Sequence, residues 1–314
     1  MFEAGIDTNN DQFVSVEEIL NFLENDLSDY NNDGVLNLRD IVSTGSVFLD
    51  SNDNDQNGYI DDLLGWDTSG YNGVDDNDPF PLENVSSNNT WNHGTHVAGI
   101  LAASTDNNIG ISSTSFNAKL LSVKCSREED NETVYVSDGY PGITYAAKAG
   151  YYSGTNTIIN CSWGSYNFSN SEQAVINVAH NTYEAIIVAA GGNGQVDENG
   201  VSSGSEFSPH YPSSYDNVIA VCPVNCNGYW GNWATYHPTV DLAAPGENIY
   251  STVIGSGYDS WDGSSMACPN AASAIGLLSA YHPDWNNLQL RARIEESADR
   301  RIYEENPDYE TCNG

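Results

Sequence analysis

The feature that most constrains the fold is an alternation of short, mostly apolar segments with longer helical ones after residue 93. The apolar segments lie at 118–124, 157–162, 185–190 and 218–221, and the helical ones at 93–103, 142–149 and 172–184. Strands that are apolar along their whole length are buried on both faces, as in parallel sheets that helices cover on both sides. We therefore predict an α/β fold with a mostly parallel central sheet and helices on both faces.

Two further segments refine this prediction. Residues 265–281 form a long helical stretch rich in small side chains, which must be buried against the sheet. Residues 240–242 are predicted to form another short strand. Residues 63–92 are predicted to be mostly loop, with turn signals at 71–73 (Tyr-Asn-Gly) and 78–79 (Asp-Pro).

The charge balance excludes some partners. The chain has 44 acidic and 9 basic residues, for a formal net charge of −35. Such a field repels nucleic acid and anionic membrane surfaces, so we expect neither as a partner. No apolar run is long enough to span a membrane. No signal peptide is visible in residues 1–5, so a secreted protein of this sequence would be a mature or cropped piece.

Acidic residues crowd into residues 1–62, in three loops of calcium-binding composition. A twelve-residue calcium loop takes oxygen ligands from positions 1, 3, 5, 9 and 12, and a carbonyl oxygen from position 7. The predicted ligands are Asp7, Asn9, Asp11, Ser15 and Glu18 with the Phe13 carbonyl in the first loop, Asp29, Asn31, Asp33, Asn37 and Asp40 in the second, and Asp53, Asp55, Asn57 and Asp61 in a partial third. The first loop has Gln12 where glycine is usual, and the third has no acid at position 12. We predict structural Ca²⁺; the alternative is a flexible acidic segment that binds no ion.

Six cysteines permit disulfides but do not define their pairing. Cys222 and Cys226 are close enough in sequence for a local bridge. Cys161 lies in a strand-like run and is predicted to be a small buried hydrophobic residue.

A histidine motif opens the first predicted helix. Residues 92–99 read Asn-His-Gly-Thr-His-Val-Ala-Gly, with His93 at the mouth of the helix. A histidine there can be exposed and still held rigidly, while Ala98 and Gly99 let the helix pack closely on a sheet. The alternative is a structural histidine at a helix start.

Two more motifs supply polar groups that acyl-transfer chemistry needs. Residues 263–269 read Gly-Ser-Ser-Met-Ala-Cys-Pro, which places Ser265 at the start of the buried helix. Backbone N–H groups at a helix start favour a developing oxyanion, although serine is also an ordinary N-cap. Residues 189–194 (Ala-Ala-Gly-Gly-Asn-Gly) follow an apolar strand, and the Asn193 amide could donate to the same oxyanion. The alternative there is a simple turn.

Together the three motifs resemble those of subtilisin-like serine proteases, in order and in spacing, from about residue 58 to about residue 308. The resemblance implies that His93 is the catalytic base, Ser265 the nucleophile and Asn193 the oxyanion-hole residue. It also implies that Ser162, Trp163 and Gly164 pair with an extended substrate and line the specificity pocket. The implied fold has three layers, and the acidic loops resemble EF-hand or dockerin-like repeats inserted near the N-terminus.

The aspartate that this family places before the histidine has no clear counterpart. It should end a buried apolar strand and precede Ser/Thr-Gly. Asp67 precedes Thr-Ser-Gly, but residues 58–67 resemble a later family segment, between that strand and the histidine helix. Asp7 and Glu3 lack a preceding strand. We expect the aspartate to lie upstream of Met1, on a strand that this chain lacks; the alternative is that the aspartate has been lost.

Three functional hypotheses follow. The first is a secreted, monomeric, calcium-stabilised serine endopeptidase that is inactive or weak as this chain, with an acidic insertion at 1–62 and a catalytic domain at 63–314. The second is a non-catalytic relative that binds peptides without cleaving them. The third is a calcium-dependent module that binds a protein partner through the acidic repeats.

Overall fold

A computed structural model gives the fold and describes residues 28–82, 88–116, 118–127, 135–196, 202–203, 209–231, 233–235 and 237–306. The helices are α1 (Arg39–Val42), α2 (Asn88–Ala102), α3 (Gly139–Ser153), α4 (Asn170–Asn181), α5 (Ser264–Tyr281), α6 (Asn287–Ser297) and α7 (Arg301–Glu305). The strands are β1 (Gly65–Tyr71), β2 (Val74–Asp76), β3 (Ser122–Lys124), β4 (Ile158–Cys161), β5 (Ile186–Ala190), β6 (Gln195–Val196), β7 (Ser202–Ser203), β8 (Val218–Val224), β9 (Leu242–Pro245), β10 (Ile249–Val253) and β11 (Gly257–Trp261).

The main sheet is parallel, as the apolar segments predict. Its four strands lie in the order β4-β5-β8-β9. All five residues of β5 and all seven of β8 are buried. Because both strands lie inside the sheet, their polar backbone groups are satisfied by neighbouring strands and their side chains meet helices on both faces.

Alternate residues of β5 show the two faces. Val188 and Ala190 pack with α5, whose small residues Ala267 and Ala271 allow a close approach. Ile187 and Ala189 point to the other face and pack with α3 and α4. The α/β fold with helices on both faces is therefore confirmed.

A second sheet holds β2-β1-β3, with β1 antiparallel to β2 and parallel to β3. The turn predicted at 71–73 is confirmed, because Asn72 and Gly73 have positive φ (56° and 72°) and close a β-hairpin. The prediction of mostly loop for 63–92 was wrong where β1 and β2 flank that turn and where α2 begins at Asn88. The strand predicted at 118–124 is also shorter than expected. Only its last three residues are strand, and the side chains of Leu120 and Leu121 are 49% and 40% exposed.

Among the described residues, no strand joins the two sheets. β3 pairs only with β1, and β4 pairs only with β5. Helix α3 packs against both β3 and β4, and Val123 of β3 contacts the same core cluster as Ile159 of β4. The edges of β3 and β4 therefore lie under one helix without hydrogen bonds between them.

Helix α2 is fixed by hydroxyl groups from β10, a strand that the sequence did not predict. Ser251 Oγ donates to the His96 carbonyl (2.7 Å), and Thr252 Oγ1 donates to the Thr95 carbonyl (2.8 Å). These bonds are possible because Gly99 lets α2 approach the strand closely, and they fix the position of the middle of the helix.

Gly99→Ala is expected to lower the free energy of unfolding by about 1–3 kcal/mol, because overpacking forces neighbours apart. A methyl group there would clash with the hydroxyls of Ser251 and Thr252 and lie 3.2 Å from Thr252 N. Gly94→Ala on the same helix is the control. Its methyl group meets nothing within 4 Å, so the better helix propensity of alanine should raise stability by about 1 kcal/mol. Urea denaturation measures both, and an equal effect of the two changes would contradict the packing account.

Of the two predictions for the cysteines, the local bridge is wrong and the buried Cys161 is confirmed. Cys222 and Cys226 are free, so the predicted local bridge is wrong: Cys222 is buried and its Sγ donates to the Leu242 carbonyl, while Cys226 is exposed. Cys161 is buried, as predicted. Within the described residues, no helix combines the length and apolar character needed to cross a membrane.

Candidate active site

Ser265 lies in the first turn of α5, where backbone donors are available. The Ser264 N–H donates to Asn193 Oδ1 (2.8 Å), and the Met266 N–H donates to the Gly263 carbonyl (3.0 Å). Among the described residues the Ser265 N–H has no acceptor. It is therefore one of the unpaired donors of a helix start and can bind a ligand oxygen.

Asn193 reaches this turn from the loop that follows β5. Its Oδ1 accepts from Ser264, so the amide is oriented with Nδ2 as the remaining donor. Gly192 N–H donates to Ser264 Oγ (3.2 Å), and Gly191 N–H donates to the Val221 carbonyl (2.8 Å). The loop is thus fixed to the sheet on one side and to α5 on the other, with an amide donor beside Ser265.

Ser162 lies on the other side of the serine. Ser265 Oγ donates to the Ser162 carbonyl (3.2 Å), and Ser162 Oγ donates to the Ser265 carbonyl (2.8 Å). Trp163 packs against the start of α3 in an edge-to-face contact with Tyr140, with ring centroids 5.3 Å apart. Gly164 is exposed. The structure therefore brings together Ser265, Asn193 and the predicted substrate-binding segment, with Gly164 open to solvent.

His93 lies in the second turn of α2 rather than at the mouth of the helix as predicted, because the helix begins at Asn88. Helix α2 packs against α5. Val97 and Ile100 of α2 share a core cluster with Met266, the residue after the candidate nucleophile. The imidazole of His93 lies nearly parallel to the Trp261 ring, with an interplanar angle of 20° and ring centroids 6.5 Å apart. Within the described part of the chain, no hydrogen bond joins His93 to Ser265 or to a carboxylate. Burial, and then the neighbouring His96, lower the pKa of His93.

Asp67 is not positioned as the partner of His93. Its Oδ2 lies 2.7 Å from Lys124 Nζ, and its Oδ1 accepts from the N–H groups of Ser69 (2.8 Å) and Gly70 (2.9 Å). The side chains of Asp67 and Lys124 are 0% and 5% exposed, so they form a buried ion pair that joins β1 to β3. Burial raises the pKa of Asp67, and the hydrogen bonds and Lys124 oppose that shift. The role of Asp67 here is structural.

The second and third acidic loops have the same backbone arrangement. In the second, Asp29 accepts from the N–H groups of Asp33 (3.0 Å) and Gly34 (2.9 Å). In the third, Asp53 accepts from the N–H groups of Asn57 (3.1 Å) and Gly58 (2.9 Å). The glycines of the two loops, Gly34 and Gly58, have positive φ, a conformation that residues with a side chain rarely adopt.

The two loops close differently. In the second, the Asp40 carboxylate accepts from the Tyr30 N–H (2.9 Å), so the last predicted ligand lies beside the start of the loop. In the third, Asn57 Nδ2 donates to Asp62 Oδ2 (2.9 Å), and Asp61 accepts from Asp50 N–H (3.0 Å). In the regions that the structure covers, no three His, Cys, Asp or Glu side chains converge as metal ligands. The first loop, Asp7 to Glu18, lies outside the described residues.

Sequence reasoning missed two residues that border the cleft. Trp261 stacks on His96, in the middle of α2, with 4.4 Å between ring centroids. His210 packs against Gly164 and Gly192, one from each side of Ser265. Neither lies in a motif, and their positions depend on contacts with distant parts of the chain.

Comparison with known proteins assigns the chain to a family. The family model described as "Subtilase family" matches residues 26–314. Thermitase of Thermoactinomyces vulgaris is 36% identical over 261 residues, covering 83% of this chain and 80% of the relative. The thermophilic serine proteinase of Bacillus sp. (strain AK1) is 36% identical over 240 residues, covering 76% of this chain and 53% of the relative.

Solved structures agree on the fold. Sphericase aligns with a TM-score of 0.56 at 30% identity, and the S41 psychrophilic protease with 0.57 at 26% identity; each alignment covers 65% of this chain and 68% of the other. The chain spans about half the length of several curated relatives, with 53% and 52% of two of them covered.

Proposed function

Because the chain belongs to the subtilase family, we propose that its site is that of a serine endopeptidase acting on protein or peptide substrates. The observation that carries the proposal is the turn at Ser265, where the Ser265 N–H and the oriented amide of Asn193 are both available donors. Two such donors beside a hydroxyl nucleophile suit the tetrahedral intermediate of acyl transfer.

The reaction divides into two halves. Ser265 Oγ attacks the peptide carbonyl carbon while His93 takes the hydroxyl proton, and the carbonyl oxygen becomes an oxyanion bound by Asn193 Nδ2 and the Ser265 N–H. Collapse of this intermediate breaks the C–N bond, and His93 returns the proton to the departing amine. Water then hydrolyses the acyl-enzyme by the same steps, with His93 again as base.

The carboxylate that would orient His93 lies outside the described residues in this proposal. We place it on a parallel strand bonded to the edges of β3 and β4, which lie under α3 without joining each other. The exposed side chains of Leu120 and Leu121 beside that break support an apolar strand there. A chain without the carboxylate would be slow, since losing it in such a triad costs about 10⁴-fold in kcat.

Labelling with a fluorophosphonate tests the nucleophile. We expect slow covalent modification of Ser265, located by mass spectrometry of the digested protein, and none in Ser265→Ala. Ser273→Ala is the matched control, because Ser273 lies in the same helix but is fully buried and so out of reach of the reagent. If the wild-type chain is never labelled, the peptidase proposal fails and the non-catalytic peptide binder, which the missing carboxylate contact favours, takes its place.

The pH dependence of labelling should report the environment of His93. The base is neutral imidazole, so the rate falls as the pH drops through the pKa of His93. Because burial lowers that pKa, the midpoint should lie below the ordinary histidine pKa of about 6.5. The measurement is the second-order labelling rate between about pH 4.5 and pH 8.5. A midpoint above the ordinary histidine pKa would contradict this, since it would require a carboxylate beside His93.

The proposed strand gives the complementary experiment. A peptide with an apolar strand ending in Asp-Ser-Gly, added to the chain, should raise both the labelling rate and the midpoint. The same peptide with Asn in place of Asp should pair with the sheet without raising either, because it supplies no charge.

We also propose that Ca²⁺ binds the acidic loops and stabilises the folded chain. A calcium-stabilised peptidase of this kind would be a secreted monomer. Carboxylate and amide oxygens are the ligands that Ca²⁺ prefers, and the matching turns at Asp29 and Asp53 keep such groups close together. No nucleic-acid or membrane partner is proposed for so acidic a chain.

Calcium is expected to raise the thermal midpoint. At 100-fold excess over the dissociation constant, one site adds about 2.7 kcal/mol. Asp29→Asn and Asp53→Asn keep an oxygen for the turn but remove the charge, so each should reduce the rise. Asp284→Asn is the control, since Asp284 is exposed and lies outside the loops. A thermal midpoint that EDTA and Ca²⁺ leave unchanged would contradict the proposal.

A further inference from the structure

The proposed oxyanion donor, Asn193, lies in a chain segment with little stiffness of its own. Residues 191–194 read Gly-Gly-Asn-Gly, and Gly192 and Gly194 both have positive φ (105° and 70°). Glycine has the widest choice of backbone conformations, so such a segment keeps one shape only where other residues fix it. The bond from the Ser264 N–H to Asn193 Oδ1 holds the side chain, and the backbone beneath it needs anchors of its own.

Thr235 supplies hydrogen bonds on both sides of Asn193. Its N–H donates to the Gly192 carbonyl (3.1 Å), and its Oγ1 accepts from the Gly194 N–H (2.8 Å). The residue before Asn193 and the residue after it are therefore tied to the same threonine. Because Thr235 is only 1% exposed, these bonds are shielded from competition by water.

The glycine at 192 allows this close contact. A methyl group on Gly192 would lie 2.8 Å from Thr235 Oγ1, nearer than unbonded carbon and oxygen atoms normally approach. On the opposite side, the Gly192 N–H donates to Ser264 Oγ (3.2 Å). The segment 192–194 is thus held between Thr235 and the first turn of α5.

The same bonds oppose a side reaction of the Asn-Gly sequence. In that reaction the Gly194 nitrogen attacks Asn193 Cγ, and the new C–N bond closes a succinimide ring. The side-chain nitrogen leaves as ammonia with the proton that Gly194 gives up, and water then opens the ring to aspartate or isoaspartate. Here the Gly194 N–H is bonded to Thr235 Oγ1 and the Asn193 amide to the Ser264 N–H, so both reacting groups are restrained.

We propose that Thr235 is a positioning residue for the oxyanion donor: it fixes the segment 192–194 so that Asn193 Nδ2 stays beside Ser265 and Asn193 Cγ is kept from the Gly194 nitrogen. The first half of this inference rests on the proposed peptidase function. The second half is a property of the loop alone and can be measured without catalysis. Loss of the Thr235 hydroxyl should therefore slow acylation and speed deamidation.

Thr235→Val tests both effects, because valine keeps the shape of threonine but cannot accept from the Gly194 N–H. Fluorophosphonate labelling of Ser265 should slow by roughly 10- to 100-fold, the cost of misplacing a catalytic group rather than removing it. After incubation in mildly alkaline buffer, digestion and mass spectrometry should show aspartate and isoaspartate at 193 forming about two to ten times faster, the rate equivalent of one net hydrogen bond. Thr235→Ala removes the same hydroxyl and takes the place of Thr235→Val if that variant does not fold.

Matched controls separate the hydroxyl from general effects of substitution. Thr235→Ser keeps the hydroxyl and should behave like the wild-type chain in both measurements. Thr239→Val makes the same change nearby, where the hydroxyl bonds to Ser214 rather than to the segment 192–194, and it should label normally. The Asn-Gly sequence at Asn227, in an exposed turn, should deamidate at the same rate in every variant.

Equal labelling of Thr235→Val and the wild-type chain would overturn the inference, as would slow labelling that Thr235→Ser shares, since the loss would then come from packing. Unchanged deamidation at 193 would also overturn it, because the segment would then be fixed without the Thr235 hydroxyl. If the wild-type chain is never labelled, the proposed function fails, and the deamidation rates alone decide whether Thr235 holds the loop.

Discussion

Lys124→Met should lower the free energy of unfolding by about 3–5 kcal/mol, the usual cost of removing one partner from a buried ion pair. Lys124 Nζ lies 2.7 Å from Asp67 Oδ2, and the two side chains are 5% and 0% exposed. Methionine keeps much of the side-chain length but leaves the Asp67 carboxylate buried without its cation. Because single domains are stable by only about 5–15 kcal/mol, this one change should remove a large share of the total. Urea denaturation at pH 7 measures it.

The stability lost in Lys124→Met should depend on pH and on the presence of the Asp67 carboxylate. The pKa of Asp67 is raised by burial, so the folded state takes up a proton there before the unfolded state does. The loss should therefore shrink as the pH falls toward that raised pKa, and Asp67→Asn combined with Lys124→Met should recover part of it. Lys119→Met is the control, since Lys119 is exposed. A loss at Lys124 no larger than at Lys119 would show that the pair contributes no stability.

Asn193→Ala is expected to slow the acylation of Ser265 by about 10²–10³-fold, the effect known from removing one oxyanion donor in a subtilisin, a member of this family. The amide is held by its Oδ1 on the Ser264 N–H, so Nδ2 is the group that the change removes from the cleft. Phosphonylation also builds negative charge on an oxygen, so the fluorophosphonate labelling rate is a suitable measurement. Thermal denaturation checks that the variant remains folded.

A second variant separates the donor from the anchor. Asn193→Asp keeps an oxygen for the Ser264 N–H but has no N–H to donate, so its rate should fall at least as far as that of Asn193→Ala. Asn227→Ala, in an exposed turn, is the control and should react like the wild-type chain. A rate for Asn193→Asp close to that of the wild-type chain would mean that Asn193 only positions α5.

The parts of the fold that follow from local pattern were predictable. β5 and β8 are buried along their whole length, and their apolar runs predict this directly. The hairpin of β1 and β2 was missed because Asp67 and Ser69 are polar and yet fully buried. Their burial depends on Lys124, which pairs with Asp67, and on the Asp138 carboxylate, which accepts from Ser69 Oγ. No local pattern contains these distant contacts.

The site shows the same division. His93, Ser265 and Asn193 lie in short motifs whose residue types carry the chemistry, so they could be proposed from the sequence. The substrate-binding role of the segment 162–164 could be predicted only from the family resemblance. His210 had no signal at all, because its place in the cleft results from packing between two glycines in different loops.

The break between the two sheets also affects how the molecule unfolds. A continuous sheet couples its strands through hydrogen bonds, so that none opens alone. In the part of the chain that the structure describes, β1, β2 and β3 are held to the other strands through side-chain packing, chiefly beneath α3, rather than through a shared ladder. Such a region forms its own cooperative unit and opens at a lower free energy than the core strands, so amide hydrogens of β1 should exchange before those of β5.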